Sequence, residues 1–336
     1  MNSIKKMMLS GALGCLISGM AYADGSSPQP VKPYWQDIQV VAVNKEKPRS
    51  SFMSYADRET ALTSRFEKSP YYSLLNGTWK FFFVDSYKDL PQNITDPSVN
   101  TSSWDDITVP GNWEVQGHGV AIYTNHGYEF KPRNPQPPLL PEANPVGVYR
   151  RDIEIPANWD NRDIYLHIGG AKSGLYVYLN GKEVGYSEDS KNPAEFLINK
   201  YLQPGKNVLT LKIFRWSTGS YLECQDFWRM SGIERDVFLW SQPKASIQDF
   251  RVVSTLDDTY TNGIFKLAVD LKNHTQETKN LNVGYELLDA KGNLVASEAN
   301  DIWVSPASPQ TASFEYDLKN VAPWSAEHPN LYKLLM

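Results

Sequence analysis

Short runs of β-branched and aromatic residues, separated by turn signals, recur along this 336-residue chain, and helical periodicity is almost absent. Residues 77–84 (GTWKFFFV) follow Asn76, and residues 175–179 (LYVYL) end at Asn180-Gly181, a pair that favours a tight two-residue hairpin. Further alternating runs occupy residues 149–155, 164–168, 207–214 and 235–240. Short strands at this spacing predict an all-β protein built from β-sandwiches.

The pattern divides into two domains, preceded by a linker and N-terminal arm over residues 24–64. We predict a jelly-roll sandwich over residues 65–243 and an immunoglobulin-like sandwich over residues 244–336. The second domain has strand candidates at residues 249–253, 263–271, 281–289 and 312–318. The chain stops at residues 332–336 (YKLLM), inside an apolar strand pattern, and domains seldom end in mid-strand. We therefore expect the second sandwich to be truncated and the chain to be part of a longer gene product.

The first 23 residues have the pattern of a secretory signal peptide. Lys5 and Lys6 precede an uncharged apolar run, and residues 21–23 (AYA) form a small-residue cleavage site. The run is shorter than the ~20 apolar residues that span a bilayer, and no other run is long enough. We expect a periplasmic or secreted protein without a transmembrane segment. Lipidation at Cys15 is the weaker alternative, and without residues 1–23 only Cys224 remains.

Composition excludes several classes of function. The net charge of −5 provides no basic surface for nucleic acid. The five histidines form no metal-binding motif with one another or with cysteine, and no glycine-rich phosphate loop follows a strand. The sequence therefore favours neither a nucleic-acid-binding protein nor a metalloenzyme of known motif.

Residues 215–237 (RWSTGSYLECQDFWRMSGIERDV) concentrate aromatic rings and carboxylates. Trp216, Phe227 and Trp228 offer flat apolar faces, and Glu223 and Asp226 offer hydrogen-bond acceptors. A pyranose ring has apolar C–H faces and a rim of hydroxyls, so this combination suits a sugar site. Such acceptors also determine specificity, because a buried hydroxyl without its partner is costly.

The carboxylates of this chain do not form a good catalytic pair. Glycosidase carboxylates lie ~5 Å apart in retaining enzymes and ~6.5–9.5 Å apart in inverting ones. In extended chain, Glu223 and Asp226 would be ~10 Å apart on opposite faces. Glu188 and Asp189 are adjacent near the end of a hairpin, where we expect a solvated turn. We predict no catalytic residue in this chain.

Residues 215–237 resemble the segment that closes the N-terminal sugar-binding domain of family-two glycoside hydrolases. Five further segments resemble that family in the same order along the chain: residues 109–114 (VPGNWE), 121–125 (AIYTN), 144–150 (NPVGVYR), 180–187 (NGKEVGYS) and 323–332 (PWSAEHPNLY). The resemblance covers roughly residues 34–336 and is closest to the N-terminal part of secreted bacterial β-galactosidases. It implies a galactose-binding-like jelly roll followed by an immunoglobulin-like domain.

The resemblance also implies site residues and a cofactor. In this family both catalytic glutamates lie in a third domain, a (β/α)₈ barrel of ~250 residues, which is absent here. An Asn and an Asp of the N-terminal domain hold galactose hydroxyls, and the Asp also ligates sodium. The matching residues are Asn125 and Asp226. The alternatives are a turn residue for Asn125 and a buried partner of Arg229 or Arg235 for Asp226. Thr218 stands where some galactosidases carry an acidic residue, which argues against a divalent site at that position. A divalent ion such as magnesium or calcium in the absent barrel is an open alternative.

We therefore expect the N-terminal part of a retaining β-galactosidase that supplies sugar-binding residues and is inactive alone. Its partner would be an oligosaccharide that contains β-galactoside, and a homo-oligomer is one open arrangement. The alternatives are a β-glucuronidase or β-mannosidase of the same family, or a stand-alone carbohydrate-binding module.

Overall fold

A computed structural model describes residues 32–130 and 134–336. The predicted signal peptide, Cys15 and the first part of the predicted linker lie outside these residues. Within them, α-helix is confined to α1 (Arg58–Leu62), and no helix is long and apolar enough to cross a membrane. Short 3₁₀ turns occur at Tyr34–Gln36, Phe66–Lys68, Tyr87–Asp89, Glu114–Gln116, Ala157–Trp159, Asn199–Tyr201 and Thr218–Tyr221.

Sixteen strands form the first sandwich and its loops. They are β1 (Ala42–Val43), β2 (Tyr72–Leu74), β3 (Gly77–Val84), β4 (Asp105–Val109), β5 (Gly111–Asn112), β6 (Ile122–Thr124), β7 (Val146–Glu154), β8 (Arg162–Ile168), β9 (Ala171–Lys172), β10 (Gly174–Leu179), β11 (Lys182–Ser187), β12 (Ala194–Leu197), β13 (Lys206–Phe214), β14 (Phe227–Arg229), β15 (Gly232–Ile233) and β16 (Val237–Pro243). All the pairings between them are antiparallel. The predicted jelly-roll sandwich is confirmed.

Two sheets enclose the core of this domain. A seven-stranded sheet has the order β1-β11-β10-β13-β7-β3-β4, and a four-stranded sheet has the order β12-β8-β16-β2. Alternate residues of each strand enter the space between them, as Trp79 and Phe81 do on β3. The arm also contributes, because Trp35 is buried against Phe214 with ring centroids 5.0 Å apart.

The second sandwich has six strands in two three-stranded sheets. Its strands are β17 (Ala245–Leu256), β18 (Gly263–Asn273), β19 (Lys279–Leu288), β20 (Leu294–Val304), β21 (Gln310–Leu318) and β22 (Lys333–Leu335). The sheets have the orders β17-β18-β21 and β20-β19-β22. The expected immunoglobulin-like domain is confirmed, and β20 is an additional strand that the sequence pattern did not reveal. The exposed polar side chains of Glu298, Asn300 and Asp301 hide its alternation.

The arm joins the two sandwiches through polar contacts. Arg49 donates to both carboxylate oxygens of Glu195 on β12, at 2.9 and 2.8 Å. Glu195 also accepts from Nδ1 of His167 and Nε1 of Trp240. The next arm residue, Ser50, bonds through its backbone N–H and hydroxyl to β17 of the second sandwich. The carboxylate of Glu195 therefore anchors the arm at the junction.

The contribution of Glu195 to stability should depend on pH. Burial opposes its ionisation, but the bonds from His167 and Arg49 outweigh burial, and its pKa is lowered from 4.5. A lowered pKa stabilises the fold above 4.5, and this contribution is lost as the pH falls through the folded-state value. We expect Glu195→Gln to lower the free energy of unfolding by about 3 kcal/mol at pH 7, since it breaks a buried pair. The difference should shrink below pH 4.5.

Denaturant unfolding at pH 7 and at several acidic pH values measures this difference. The matched control is Glu315→Gln, whose exposed carboxylate pairs with Lys266 on the surface of the second sandwich. This control should change stability by less than about 1 kcal/mol. A loss in Glu195→Gln that stays constant from pH 7 to acid would contradict the ionic role of Glu195.

Candidate functional site

A short two-stranded sheet brings the two predicted site residues together. Strand β14 pairs antiparallel with β6, and the last pair at one end is Phe227 opposite Thr124. Asn125 directly follows Thr124 and Asp226 directly precedes Phe227, so both residues lie at this end of the sheet, each in a bend of the chain. Both residues are exposed, so this end of the sheet offers an amide and a carboxylate to the same region of solvent.

Asp226 belongs to an exposed aromatic patch. The hydroxyl of Tyr123 donates to its Oδ1 at 2.5 Å, and the Tyr123 ring lies 5.7 Å from the Trp228 ring. Tyr123 and Trp228 are 53% and 54% exposed, which is unusual for such large rings. The hydrogen bond to Asp226 raises the pKa of Tyr123. Oδ2 of Asp226 has no hydrogen-bond partner among the described residues, so one acceptor remains available.

The alternative roles of the two residues can be compared with this geometry. In the described part of the chain Asp226 makes no ion pair with Arg229 or Arg235, and Arg229 instead donates to the carbonyl of Glu223. The side-chain oxygen of Asn125 lies 2.7 Å from Nδ1 of His126, a contact that suits an ordinary turn residue. The sugar-binding roles of Asn125 and Asp226 stay predictions.

Two expectations about residues 215–237 are wrong. Trp216 offers no free face, because it is buried and packs edge-on against Phe130. Glu223 is not in extended chain, since its N–H donates to the carbonyl of Gly219 in a turn. Its Oε1 accepts from the N–H of Ser190, and burial raises its pKa. Glu223 therefore supports the loop that precedes Asp226.

A further expectation, that of a solvated turn at Glu188 and Asp189, is wrong for Glu188. We expected a solvated turn at Glu188 and Asp189, and this holds for Asp189 alone. The carboxylate of Glu188 is buried and accepts three hydrogen bonds, from the Tyr186 hydroxyl, the Thr218 hydroxyl and the Gly219 N–H. Burial raises its pKa despite these donors. Sequence reasoning missed this because a hairpin end is usually exposed.

The oxygen atoms near Asp226 fit a cation site only in part. Oδ2 of Asp226 is a hard, exposed oxygen, which suits sodium, but a hard cation takes several oxygen ligands. The described residues contain no group of three or more His, Cys, Asp or Glu side chains that could hold a metal ion. Around Thr218, the nearby Glu188 carboxylate already accepts bonds from protein donors. Asp226 as a sodium ligand stays a prediction.

A buried ionic cluster beneath the site was not predicted. It comprises Glu114, Glu129, Lys172 and Arg215, whose side chains are at most 6% exposed. Burial raises the pKa of Glu114. Arg215 and Glu114 each lie beside a tryptophan in the sequence, but nothing in their spacing indicates burial or pairing. Their contacts join segments that are distant along the chain.

The bond between Tyr123 and Asp226 leads to a titration experiment on this chain. Asp226→Asn should lower the pKa of Tyr123 towards 10, because the carboxylate stabilises the protonated phenol. Carbon-13 labels at the tyrosine Cζ atoms make the titration visible by NMR, and Tyr123→Phe identifies the signal. The control is Asp106→Asn, which removes an exposed carboxylate that pairs with Lys80. An unchanged Tyr123 titration in Asp226→Asn would show that the bond does not form in solution.

Comparison with known proteins agrees with this architecture. Residues 72–243 match the sugar-binding domain of glycosyl hydrolases family 2, and residues 245–336 match a second domain of glycosyl hydrolases family 2. The chain is 38% identical over 308 residues to a β-galactosidase of Priestia megaterium, covering 90% of this chain and 30% of that protein. It is 37% identical to a β-galactosidase of Halalkalibacterium halodurans, covering 90% of this chain and 29% of that protein.

Solved structures show the same fold at lower sequence identity. The chain is similar to a β-glucuronidase of Bacteroides uniformis with a TM-score of 0.64 and 19% identity, covering 78% of this chain and 30% of that one. The chain spans about 30% of the length of the two β-galactosidases named in the preceding paragraph. The two family matches together cover most of the chain, which therefore belongs to glycoside hydrolase family 2.

Proposed function

We propose that this chain works as the N-terminal part of a retaining β-galactosidase that hydrolyses terminal β-D-galactosides. The observation that carries the proposal is the exposed end of the β6–β14 sheet, where Asn125 and Asp226 adjoin the last residue pair, Thr124 and Phe227. The names of its relatives, β-galactosidases at 33–38% identity, support the choice of substrate. Both catalytic carboxylates would be supplied by a domain outside this sequence.

The chain's own residues would bind and orient the sugar. Oδ2 of Asp226 would accept a galactose hydroxyl, and the amide of Asn125 would bond to a second hydroxyl. The Tyr123 hydroxyl holds Oδ1, which restricts the rotation of the Asp226 carboxylate. A bound sodium ion would supply positive charge beside that carboxylate. A carboxylate that faces C6 accepts from a hydroxymethyl group and repels a uronate, which favours a galactoside over a glucuronide.

Location and assembly belong to the same proposal. Lys5, Lys6, the apolar run and the cleavage pattern at residues 21–23 support export to the periplasm or beyond, with lipidation at Cys15 as the alternative. The ligand would be an oligosaccharide with a terminal β-galactoside. Size-exclusion chromatography with light scattering would decide between a monomer and a homo-oligomer.

The isolated 336-residue chain should not hydrolyse nitrophenyl β-galactoside. Its described residues form two β-sandwiches, and the family resemblance assigns both catalytic carboxylates to a barrel domain, so we expect neither general acid–base nor covalent catalysis from this chain. Product release measured by absorbance should equal the buffer rate. Turnover well above the buffer rate that stays with the protein through purification from a host without β-galactosidase would contradict this expectation.

In the longer enzyme, Asp226→Ala should impair galactoside hydrolysis more than Asn125→Ala. Hydrogen bonds to a charged group contribute ~1.5–3 kcal/mol and neutral ones ~0.5–1.5 kcal/mol. We expect kcat/KM to fall ~10- to 100-fold for Asp226→Ala and ~2- to 10-fold for Asn125→Ala. Asp226→Asn keeps the shape and removes the charge, so it should lose the sodium response as Asp226→Ala does.

Steady-state kinetics with and without sodium, on the galactoside and the glucuronide, provide the measurement. A near-normal rate and an intact sodium response in Asp226→Ala would make Asp226 structural and would refute the site. A wild-type preference for the glucuronide would refute the substrate and leave the family unaffected.

A further inference from the structure

We propose that Arg215 is a positioning residue that sets the relative placement of the two strands carrying Asn125 and Asp226. Its role rests on the proposed function of those two residues. Arg215 directly follows β13, a long central strand of the seven-stranded sheet, and it is 3% exposed. It therefore connects the rigid core of the first sandwich to the short sheet that forms the site.

A single guanidinium nitrogen bonds to both sides of that short sheet. Nη2 of Arg215 donates to the carbonyl of Val120 at 2.9 Å and to the carbonyl of Arg229 at 3.2 Å. Val120 lies two residues before β6, and Arg229 is the last residue of β14. In the β6–β14 register Arg229 pairs with Ile122. Arg215 thus clamps one end of the sheet, while Asn125 and Asp226 lie at the other end.

The clamp matters because the sheet is too short to define its own geometry. It has three residue pairs, and an isolated two-stranded ribbon of this size is at best marginally stable in water. From Arg229 to Phe227 the strand advances ~7 Å at ~3.3 Å per residue, and Asp226 directly precedes Phe227. A shift or tilt at the clamped end therefore changes the separation of Asp226 and Asn125 at the open end.

Two buried carboxylates lie within ion-pair distance of the guanidinium. Nη1 of Arg215 lies 3.7 Å from Oε1 of Glu114, and Nε lies 3.9 Å from Oε2 of Glu129. Lys172 pairs with Glu129 at 3.2 Å, so two cations balance two carboxylates. Both oxygens of Glu114 also accept from the N–H of Ser231, just beyond β14. The cluster therefore ties the segments on either side of β6 to the segment that follows β14.

Arg150 provides a matched control for the loss of a buried arginine. It is 5% exposed, and it donates to the carbonyls of Ile94 and Val99 at 2.7 and 3.2 Å. Like Arg215, it uses its guanidinium to hold backbone carbonyls, but these belong to a loop that does not include β6 or β14. Replacement by Lys keeps the charge and removes the planar fork at either position.

Hydrogen–deuterium exchange on the 336-residue chain tests the clamp without reference to activity. We expect Arg215→Lys to increase exchange of the amides in residues 122–124 and 227–229 at least ~10-fold, a loss of ~1.4 kcal/mol of local protection. Exchange in β7 and β13 should stay as in the wild type, and Arg150→Lys should leave residues 122–124 and 227–229 unchanged. Equal exchange in Arg215→Lys and the wild type, or the same increase in Arg150→Lys, would refute the clamp.

A second variant keeps the clamp testable if Arg215→Lys lowers the stability of the whole domain. Glu114→Gln keeps an oxygen that can accept from Ser231 and removes the charge facing Arg215. If Arg215→Lys also increases exchange in β7 and β13, the clamp is tested by hydrogen–deuterium exchange of the Glu114→Gln variant. Faster exchange confined to the short sheet in this variant supports the clamp, and unchanged exchange there refutes it.

A double-mutant cycle in the longer enzyme links the clamp to the site. If Arg215 acts through Asp226, the double variant Arg215→Lys/Asp226→Ala should be no slower in kcat/KM than Asp226→Ala alone. Arg215→Lys alone should raise KM for the galactoside more than it lowers kcat, with a higher sodium requirement. Fully additive losses would refute the positioning role. A normal rate in Asp226→Ala would refute the proposed function. The exchange experiment does not depend on activity, so it would still test the clamp.

Discussion

The candidate site depends on one short antiparallel pairing, that of β6 with β14. Three residue pairs place Asn125 and Asp226 at one end, and Tyr123 and Trp228 on an exposed face. Hydrophobic burial contributes less to this ribbon than to the core, because the rings of Tyr123 and Trp228 are more than half exposed. Directional contacts replace it: the guanidinium of Arg215 beneath one end and the Tyr123–Asp226 bond on the surface. The site therefore gains defined geometry from polar contacts where the core of the sandwich uses apolar ones.

Such an arrangement has an energetic cost. Burying an ion costs several kcal/mol even after relaxation, and attraction within pairs repays this only with good geometry. The cluster below the ribbon is balanced in charge, with two cations and two carboxylates, and Glu114 and Arg215 bond to backbone groups. Its pairing is incomplete, because Nε of Arg215 and Oε2 of Glu129 have no hydrogen-bond partner among the described residues. An apolar cluster of similar volume could be equally stable, but it would not select particular carbonyls on the two strands. The charges are therefore better explained by placement than by stability.

The part of the fold that follows from local chemistry could be predicted from the sequence. Strand β3 occupies residues 77–84 as expected, because its alternating aromatic residues require a half-buried pleated surface. The hairpin turn lies at Asn180 and Gly181, with φ of 53° and 77°, because these residue types tolerate positive φ. The β6–β14 ribbon could not be predicted, since two three-residue strands carry almost no periodic signal, and Asn125 and Asp226 were indicated only by the family resemblance.

What could not be predicted depends on partners distant in sequence. Glu188 looks like a surface residue until Thr218 and Gly219 fold over its carboxylate. Trp216 looks like a free platform until Phe130, in a long loop, packs against its edge. Exposure of a polar or aromatic side chain is a property of tertiary contacts, and a single sequence shows only that the side chain is capable of either role.

Directional polar contacts also join the two sandwiches to each other. Only Lys244 separates β16 from β17, so the covalent link is short, but a single residue does not fix an angle. Ser50 of the arm bonds to β17, and on the other side Asp163 on β8 pairs with His274, just beyond β18. Hydrophobic contact is non-directional and therefore tolerates sliding, whereas hydrogen bonds and ion pairs depend on direction and distance. The polar junction therefore sets the orientation of the second sandwich relative to Asp226. In the proposed enzyme a catalytic domain would follow that sandwich, so its acid and nucleophile would meet the sugar held by Asp226 only if this orientation is kept.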